Sequence, residues 1–545
     1  MKTCQQCGRV YNDGTLKFCL EDGTVLSDLD ETEEPSTAIL PGVVPSEAPK
    51  RDRISSGPAR TLLYVLAMGG LLAVAAFIGY RYWSPEKQIK SIAVIPFVNQ
   101  SGDTELEYLS DGLTESLISS LSQLPELNVK ARTSVFRYKG KEIDPLSTGR
   151  ELSVQAILTG RLVKQDNSVT LYTELVDTST ENTLWTGSYT RPLANVVLLQ
   201  NELARDVAAK LQARFSGADQ KRLSSPQTKN EEAYRLYLAG RYHLNRLTDD
   251  GFRKGAEHFA QAIAKDPGYA LAHAGLADAY NRLGGFNAAP PKESFPKAKD
   301  AALKAIELDS SLAEAHTALG LVKLFYDWDW ANAEKEFRRA IELNPGYADG
   351  HMTYGLYLSL MNRFDDALTE TRKAQELDPL SLEKQIGIGD VFFAERRYDD
   401  ALKEYQKGLE MDPNSGLVNW ALGRAYLEKG MYPEAIAAFQ RSIPLSGESP
   451  DESVDLARAY ARDGKRAEAI KILDDLTRSS QARYISPTTI GSIYVALGEN
   501  DKAFEWFDRA FLQRDYLLVM TKVDPMFDNV RSDPRFAALM QRVGL

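Results

Sequence analysis

Residues 382–413 read LEKQIGIGDVFFAERRYDDALKEYQKGLEMDP, and four positions in this stretch decide how the larger part of the chain folds. Gly389, Ala401, Tyr405 and Pro413 each belong to a ladder that continues on both sides. Ala333, Ala367, Ala401, Ala435, Ala469 and Ala503 stand 34 residues apart at every step. Gly320, Gly355, Gly389, Gly423, Ala457 and Gly491 run parallel to them, and Phe337, Tyr405, Phe439 and Phe507 form a third ladder. Pro267, Pro345, Pro379 and Pro413 close the set, mostly after Asp or Asn. A small residue lets two helices approach, an aromatic ring fills the seam between them, and proline stops the second helix and starts a turn.

This pattern resembles the tetratricopeptide repeat, a helix-turn-helix that stacks into a solenoid. It predicts about eight units within residues 226–513, from Glu232 to Gln513. Gly284 to Pro296 reads as an insertion, and Ser310 stands where proline is expected. Residues 514–545, with SDPRFAALMQRVGL at their end, are expected to pack as a capping helix over the last unit. His273, His316 and His351 hold one packing position of the repeat. The remaining histidines, His243 and His258, both fall in the first unit, so no Ser-His-Asp or Cys-His site is indicated. Stacked units leave a concave surface lined by first helices. Its predicted lining is Ile386, Asp390, Trp420, Arg424, Val454 and Arg458, a groove for a protein or peptide in which Trp420 and Arg424 are anchor types.

Residues 88–215 read as an α/β domain. SIAVIPF (91–97) is a buried strand, Leu109, Leu113, Leu117, Leu121 and Leu124 recur at helical spacing, and AILTGRLV and VTLYTELV flank the turn Asp166-Asn167-Ser168 as a hairpin. TLWTGSY is a last strand, and an amphipathic helix follows from Leu198. The blocks SIAVIPF, SGDTELEYLSDGLTESLISSLS, ARTSVFRYKGK and LWTGSY resemble the bacterial module related to the amino-terminal domain of TolB and to FlgO. In relatives, that resemblance implies, the module follows a membrane span and precedes helical repeats, with a cyclase, a kinase or a winged-helix DNA binder on the cytoplasmic side. None of these three is read in this sequence. Asp103, Asp111 and Glu115 suit turn and helix-surface roles, and Arg132, Lys139 and Lys141 a solvated basic face. No G-x-x-x-x-G-K-[ST] phosphate loop and no G-x-S-x-G elbow occurs in the sequence.

Residues 61–81 are the predicted transmembrane helix. TLLYVLAMGGLLAVAAFIGY (61–80) carries no charge, lies between Arg60 and Arg81, and as a helix spans about 30 Å, the thickness of a bilayer's apolar core. Residues 28–60, acidic then basic and rich in proline and serine, read as a disordered linker. Charges around the span favour a cytoplasmic amino terminus only slightly. All three cysteines precede the span, which suits thiols kept reduced inside and a cysteine-free exported portion. The expected location is the bacterial inner membrane, single-pass, with the carboxy-terminal domains periplasmic.

Residues 1–27 resemble the short zinc ribbons at the amino ends of bacterial membrane proteins. Cys4-Gln5-Gln6-Cys7-Gly8 is one knuckle, and Cys19-Leu20-Glu21-Asp22-Gly23 repeats its geometry with Asp22 in place of a fourth cysteine. Tetrahedral zinc accepts thiolate and carboxylate, so Cys4, Cys7, Cys19 and Asp22 form a candidate set for one structural ion. The chain of 545 residues carries a net charge of −11, which argues against a general nucleic-acid binder. Together these features predict a non-enzymatic, membrane-anchored scaffold whose repeats bind a protein or peptide in the cell envelope. The alternative is a transmembrane receptor whose α/β domain senses a small molecule or nucleotide.

Overall fold

The computed structural model describes residues 89–545 apart from 103, 125, 193–194, 212–227, 446–450 and 481–482, together with residues 2–3, 10–11, 17–19, 25 and 27–28. It divides into two units, 1–85 and 86–545. In the first, β1 (Lys2–Thr3) pairs antiparallel with β2 (Val10–Tyr11) and with β3 (Ser27–Asp28), and Phe18 bridges Val25. The pairs Thr3–Val10 and Phe18–Val25 bracket the two cysteine runs in sequence. Cys19 is buried. Cys4, Cys7, Asp22, nearly all of the 28–60 linker and the apolar stretch 61–81 lie outside the described residues. Among the described residues, no helix is long and apolar enough to cross a membrane.

The second unit begins with a mixed sheet of β4 (Ser91–Val94), β5 (Val98–Asn99), β6 (Asn128–Val129), β7 (Ala156–Gln165), β8 (Ser168–Asp177) and β9 (Thr183–Pro192). Its order is β6-β4-β7-β8-β9, with β5 also on β7. β4 lies parallel to β6 and β7, and the hairpin β7-β8 and its neighbour β9 are antiparallel. The helix α1 (Thr104–Ser122) inserts Leu109, Leu113, Leu117 and Leu121 into the core beside Leu171 and Leu175 of the sheet. Leu199 and Leu203 of α4 (Val196–Lys210) join the same core. Between them come α2 (Arg132–Phe136) and α3 (Pro145–Leu152), the latter capped by the Asp144 carboxylate accepting from the Ser147 amide at 2.8 Å.

Eight described helix pairs follow, from α5 (Glu231–Leu244) and α6 (Asp249–Lys265) to α19 (Pro487–Ala496) and α20 (Asn500–Gln513). The ladders have the expected cause. A Cβ at Gly320, Gly389, Gly423 or Gly491 would fall 2.3 to 2.6 Å from the ring of Phe337, Tyr405, Phe439 or Phe507. The Gly284–Pro296 insertion forms little loop: it lengthens one helix to Gly285 and starts the next at Pro291, with Pro296 inside it. One residue more lies between Gly320 and Ala333 than between Gly355 and Ala367, and a single π turn, Lys323–Asp327, absorbs it.

The carboxy-terminal segment departs from the expected single cap. After two 3₁₀ turns, Tyr516–Lys522 and Pro525–Val530, comes α21 (Pro534–Val543). Leu518, Val519, Val523, Phe527, Val530, Phe536, Leu539 and Val543 are buried in one core with Tyr357, Ile386, Phe392 and Phe507. At about 1.5–3 kcal/mol per buried side chain, these eight contribute upwards of about 12 kcal/mol before entropy is counted. The segment also closes a ring. Trp328, in the third unit, meets Phe511 of the eighth at 5.3 Å, and the Arg514 guanidinium lies 4.0 Å above the Trp328 ring.

Candidate functional site: the inner face of the array

The inner face is bounded by the α/β domain on one side and by the carboxy-terminal segment on the other. The domain docks on the turns that follow second helices, using the Asp and Asn that precede proline there. Ser134 Oγ donates to Asp378 at 2.5 Å and accepts from the Leu380 amide at 2.9 Å; the Thr133 hydroxyl also donates to Asp378. Lys130 Nζ donates to the Glu376 carbonyl at 2.8 Å, and Asn344 Nδ2 to Ser122 Oγ at 3.2 Å. Burial pushes the Asp378 carboxyl above its usual range, against the two hydroxyl donors.

Deeper in, Glu115 of α1 accepts from Arg241 and from Asn245 at 2.7 Å, and lies 3.3 Å from Arg132. Burial pushes this carboxyl up, but the guanidiniums of Arg241 and Arg132 outweigh it and hold it below the ordinary range. Ala233, Tyr234, Leu238, Tyr269 and Leu312 of the first units share the domain's core. The two parts are one folded body. Asp111 is held by Lys139 at 2.8 Å, so the acidic residues singled out as Asp111 and Glu115 are committed to structural pairs.

The predicted groove residues fall in the rear half of the array, where the carboxy-terminal segment lies. Ile386 and Val454 are 4% and 3% exposed. The Arg424 guanidinium is 3.4 Å from both Asp390 and Asp524, 4.3 Å above the Phe393 ring and 4.7 Å above Trp420. Asp390 also accepts from the Tyr405 hydroxyl at 2.8 Å, and Trp420 Nε1 donates to Asp455 at 2.8 Å. Arg458 pairs with Asp455 at 2.5 Å and with Glu428 at 3.0 Å. The structure brings Asp390, Trp420 and Arg424 together, as the spacing predicts, but around the protein's own Asp524. A cavity of about 200 Å³ remains there, lined by Tyr398, Glu428, Arg458, Arg462 and Asn529.

The front half of the inner face carries a small depression of about 30 Å³. Tyr237, Arg241, Asp278, Glu314, Thr317 and Tyr347 line it, and Asp349, two residues after Tyr347, pairs with Lys384. Lys384 is 3% exposed, its Nζ 2.6 Å from Asp349, whose side chain is 53% exposed. Burial lowers Lys384, and the carboxylates of Asp349 and Glu383 outweigh that and hold the ammonium above its usual range. Tyr237, Arg241 and Asp278 were not singled out from the sequence because insertions in the first two units break the 34-residue register there, and Glu314, Tyr347, Asp349 and Lys384 because they lie off the positions three before and one after each Gly or Ala of the ladder. The histidines serve the fold: His316 and His351 each bridge a turn carbonyl and a second-helix carboxylate, Glu336 at 2.7 Å and Glu370 at 2.6 Å.

Residues 386–452 and 454–514 match the tetratricopeptide repeat family. The carboxy-terminal part of this chain is a tetratricopeptide-repeat array. Residues 87–205 match the second domain of HilA/YgeH-like transcriptional regulators. The chain is 33% identical over 236 residues to a putative adenylate cyclase 3 of Rhizobium meliloti, covering 42% of this chain and 40% of that protein. It is 22% identical over 291 residues to the transcriptional regulator HilA of Salmonella typhimurium, covering 52% and 50%. The chain thus spans half or less of the length of these relatives. Among solved structures, yeast Tom70 is 18% identical over 64% of this chain and 83% of its own, with a TM-score of 0.38.

Proposed function

We propose that this protein is a non-enzymatic scaffold whose array holds a protein or peptide segment in the front half of its inner face. The observation that carries this reading is the asymmetry of that face. The rear is occupied by the chain's own apolar segment and by paired arginines around a cavity of about 200 Å³, while the front presents Tyr237, Glu314 and Tyr347 around a depression of about 30 Å³, with the exposed Asp349 carboxylate two residues after Tyr347 in sequence. Tyrosine offers a broad contact area at small entropic cost, and flanking carboxylates supply register.

The same proposal keeps the rest of the predicted architecture. The stretch Thr61–Tyr80 anchors the chain in the inner membrane, with the amino terminus cytoplasmic and the array outside. Cys4, Cys7, Cys19 and Asp22 hold one structural zinc, an arrangement favoured by strand pairs that bracket both cysteine runs. The α/β domain belongs with TolB-like and FlgO-like modules, and it serves to fix the front of the array rather than to sense a ligand. The names of the matched relatives describe cyclase and transcriptional outputs. In the α/β domain of this chain Asp111 and Glu115 are engaged by Lys139 and by Arg241 and Arg132, which supports a structural role for them.

The test is photo-crosslinking in native membranes from a benzophenone amino acid at position 314 or 347. Adducts to a defined protein from these sites are expected. Adducts arising only from the α/β domain would overturn the reading.

A further inference from the structure

The sheet of the α/β domain has one long free margin. Its other margin, β6, is two residues long, whereas β9 extends over Thr183–Pro192, and among the described residues no strand pairs beyond it. Strand edges that stay single are normally blunted by lysine, proline or a bulge. From Thr183 to Thr190 this strand has no charge and no proline; a bulge at Leu184 interrupts its pairing to β8, which is regular from Trp185 to Pro192. The run is built of residues that favour strands, TLWTGSYT. Its faces are distinct. Thr186, Ser188 and Thr190 are exposed on the outer face. On the inner face the Trp185 ring lies across Gly187 and meets Tyr189 at 6.4 Å, while Arg191, beyond the uncharged run, is held by Glu202 at 2.6 Å.

We infer that β9 is a dimerisation edge, pairing antiparallel with β9 of a second copy of this chain about a two-fold axis at Gly187. The sequence is self-complementary in that register. Thr186 stands opposite the partner's Ser188, and Trp185 opposite the partner's Tyr189. Hydroxyl therefore meets hydroxyl on the outer face and ring meets ring on the inner one. Gly187 brings no side chain to the axis, and the missing charges mean that two identical edges meet without repulsion. A two-fold contact must be self-complementary in this way, which an edge made for a different strand need not be. The pairing joins two sheets into one and carries the two arrays away from each other on a common platform.

Sedimentation velocity of the full chain tests this, comparing wild type with Thr186→Lys/Ser188→Lys and Thr186→Glu/Ser188→Glu. Both side chains are exposed, so the folded monomer accommodates either charge, the glutamate pair at a modest cost because Thr186 stands opposite Glu174 of β8. In the dimer each substitution faces its like. Wild type should show a concentration-dependent dimer, with backbone amides of 183–191 exchanging more slowly as concentration rises. Each charged variant should be a folded monomer with cooperative melting, its dissociation constant raised at least tenfold. An equimolar mixture of the two variants should restore the dimer, because lysine then meets glutamate. A wild-type chain monomeric throughout, a dimer that both variants retain, or a mixture that stays monomeric would each overturn the inference.

Discussion

Replacing Arg424 by alanine should destabilise the rear half of the array by about 3 kcal/mol, because it strands a buried carboxylate. The sequence places Arg424 on an open helix face, where truncation costs little. In the structure its side chain is 14% exposed and that of Asp524 is 10% exposed, the two lying 3.4 Å apart between the Phe393 and Trp420 rings. Breaking a buried ion pair from one side costs about 3–5 kcal/mol. The lower end applies here, since Asp524 keeps the Met526 amide at 2.9 Å and the field of Arg458. Chemical denaturation read by tryptophan fluorescence, with hydrogen exchange in residues 516–530, measures the loss. The penalty also has a pH sign. Burial already holds the Asp524 carboxyl above its ordinary range. Its contribution is therefore largest when it is protonated and falls as pH rises. Without Arg424 the destabilisation should grow from pH 5 to pH 8, and Asp524→Asn in the same background should recover at least about 1 kcal/mol of it. A variant within about 0.5 kcal/mol of wild type, with no pH trend, would refute the account of the filled rear groove.

Glu115→Ala should cost on the order of 3 kcal/mol and loosen the α/β domain from the first repeat, seen as faster exchange in α1 and α5 together. The Glu115 carboxyl is held below its ordinary range, so its contribution is present above the unfolded pKa and is lost as acid protonates it. Removing residues 515–545 exposes the core around Phe507 and Phe392, and the truncated chain should lose the cooperative melting of its last four units rather than gain a free groove. The full chain should retain about one zinc per molecule after purification in a reducing buffer, and Cys7→Ala should lose it more completely than Asp22→Ala, thiolate being the stronger ligand. A reporter active only in the periplasm should work after Leu545 and be silent at the amino terminus.

The 34-residue ladders made the array legible because each ladder has a local steric cause: a Cβ at Gly423 would overlap the Phe439 ring, at 2.5 Å. The strands and helices of residues 91–210 were legible for similar reasons of alternation and leucine spacing. What the sequence hid was contact at long range. DPMFDNV folds into a single 3₁₀ turn with no periodicity of its own, so nothing local announces that Asp524 and Phe527 return to the inner face. Asp378 and Asn344 read as ordinary residues before a turn proline, yet they carry the α/β domain. The spacing put Asp390, Trp420 and Arg424 on one face, and in the structure Arg424 there pairs with Asp524 of the same chain.

The most direct test of the central claim is to place the same photo-crosslinker at Tyr347 and at Trp420, one position per chain, in native membranes. The account predicts intermolecular adducts from position 347 and, from position 420, only crosslinks within the chain itself. Intermolecular adducts from 420 with none from 347 would contradict it, placing the partner where the structure has residues 516–530.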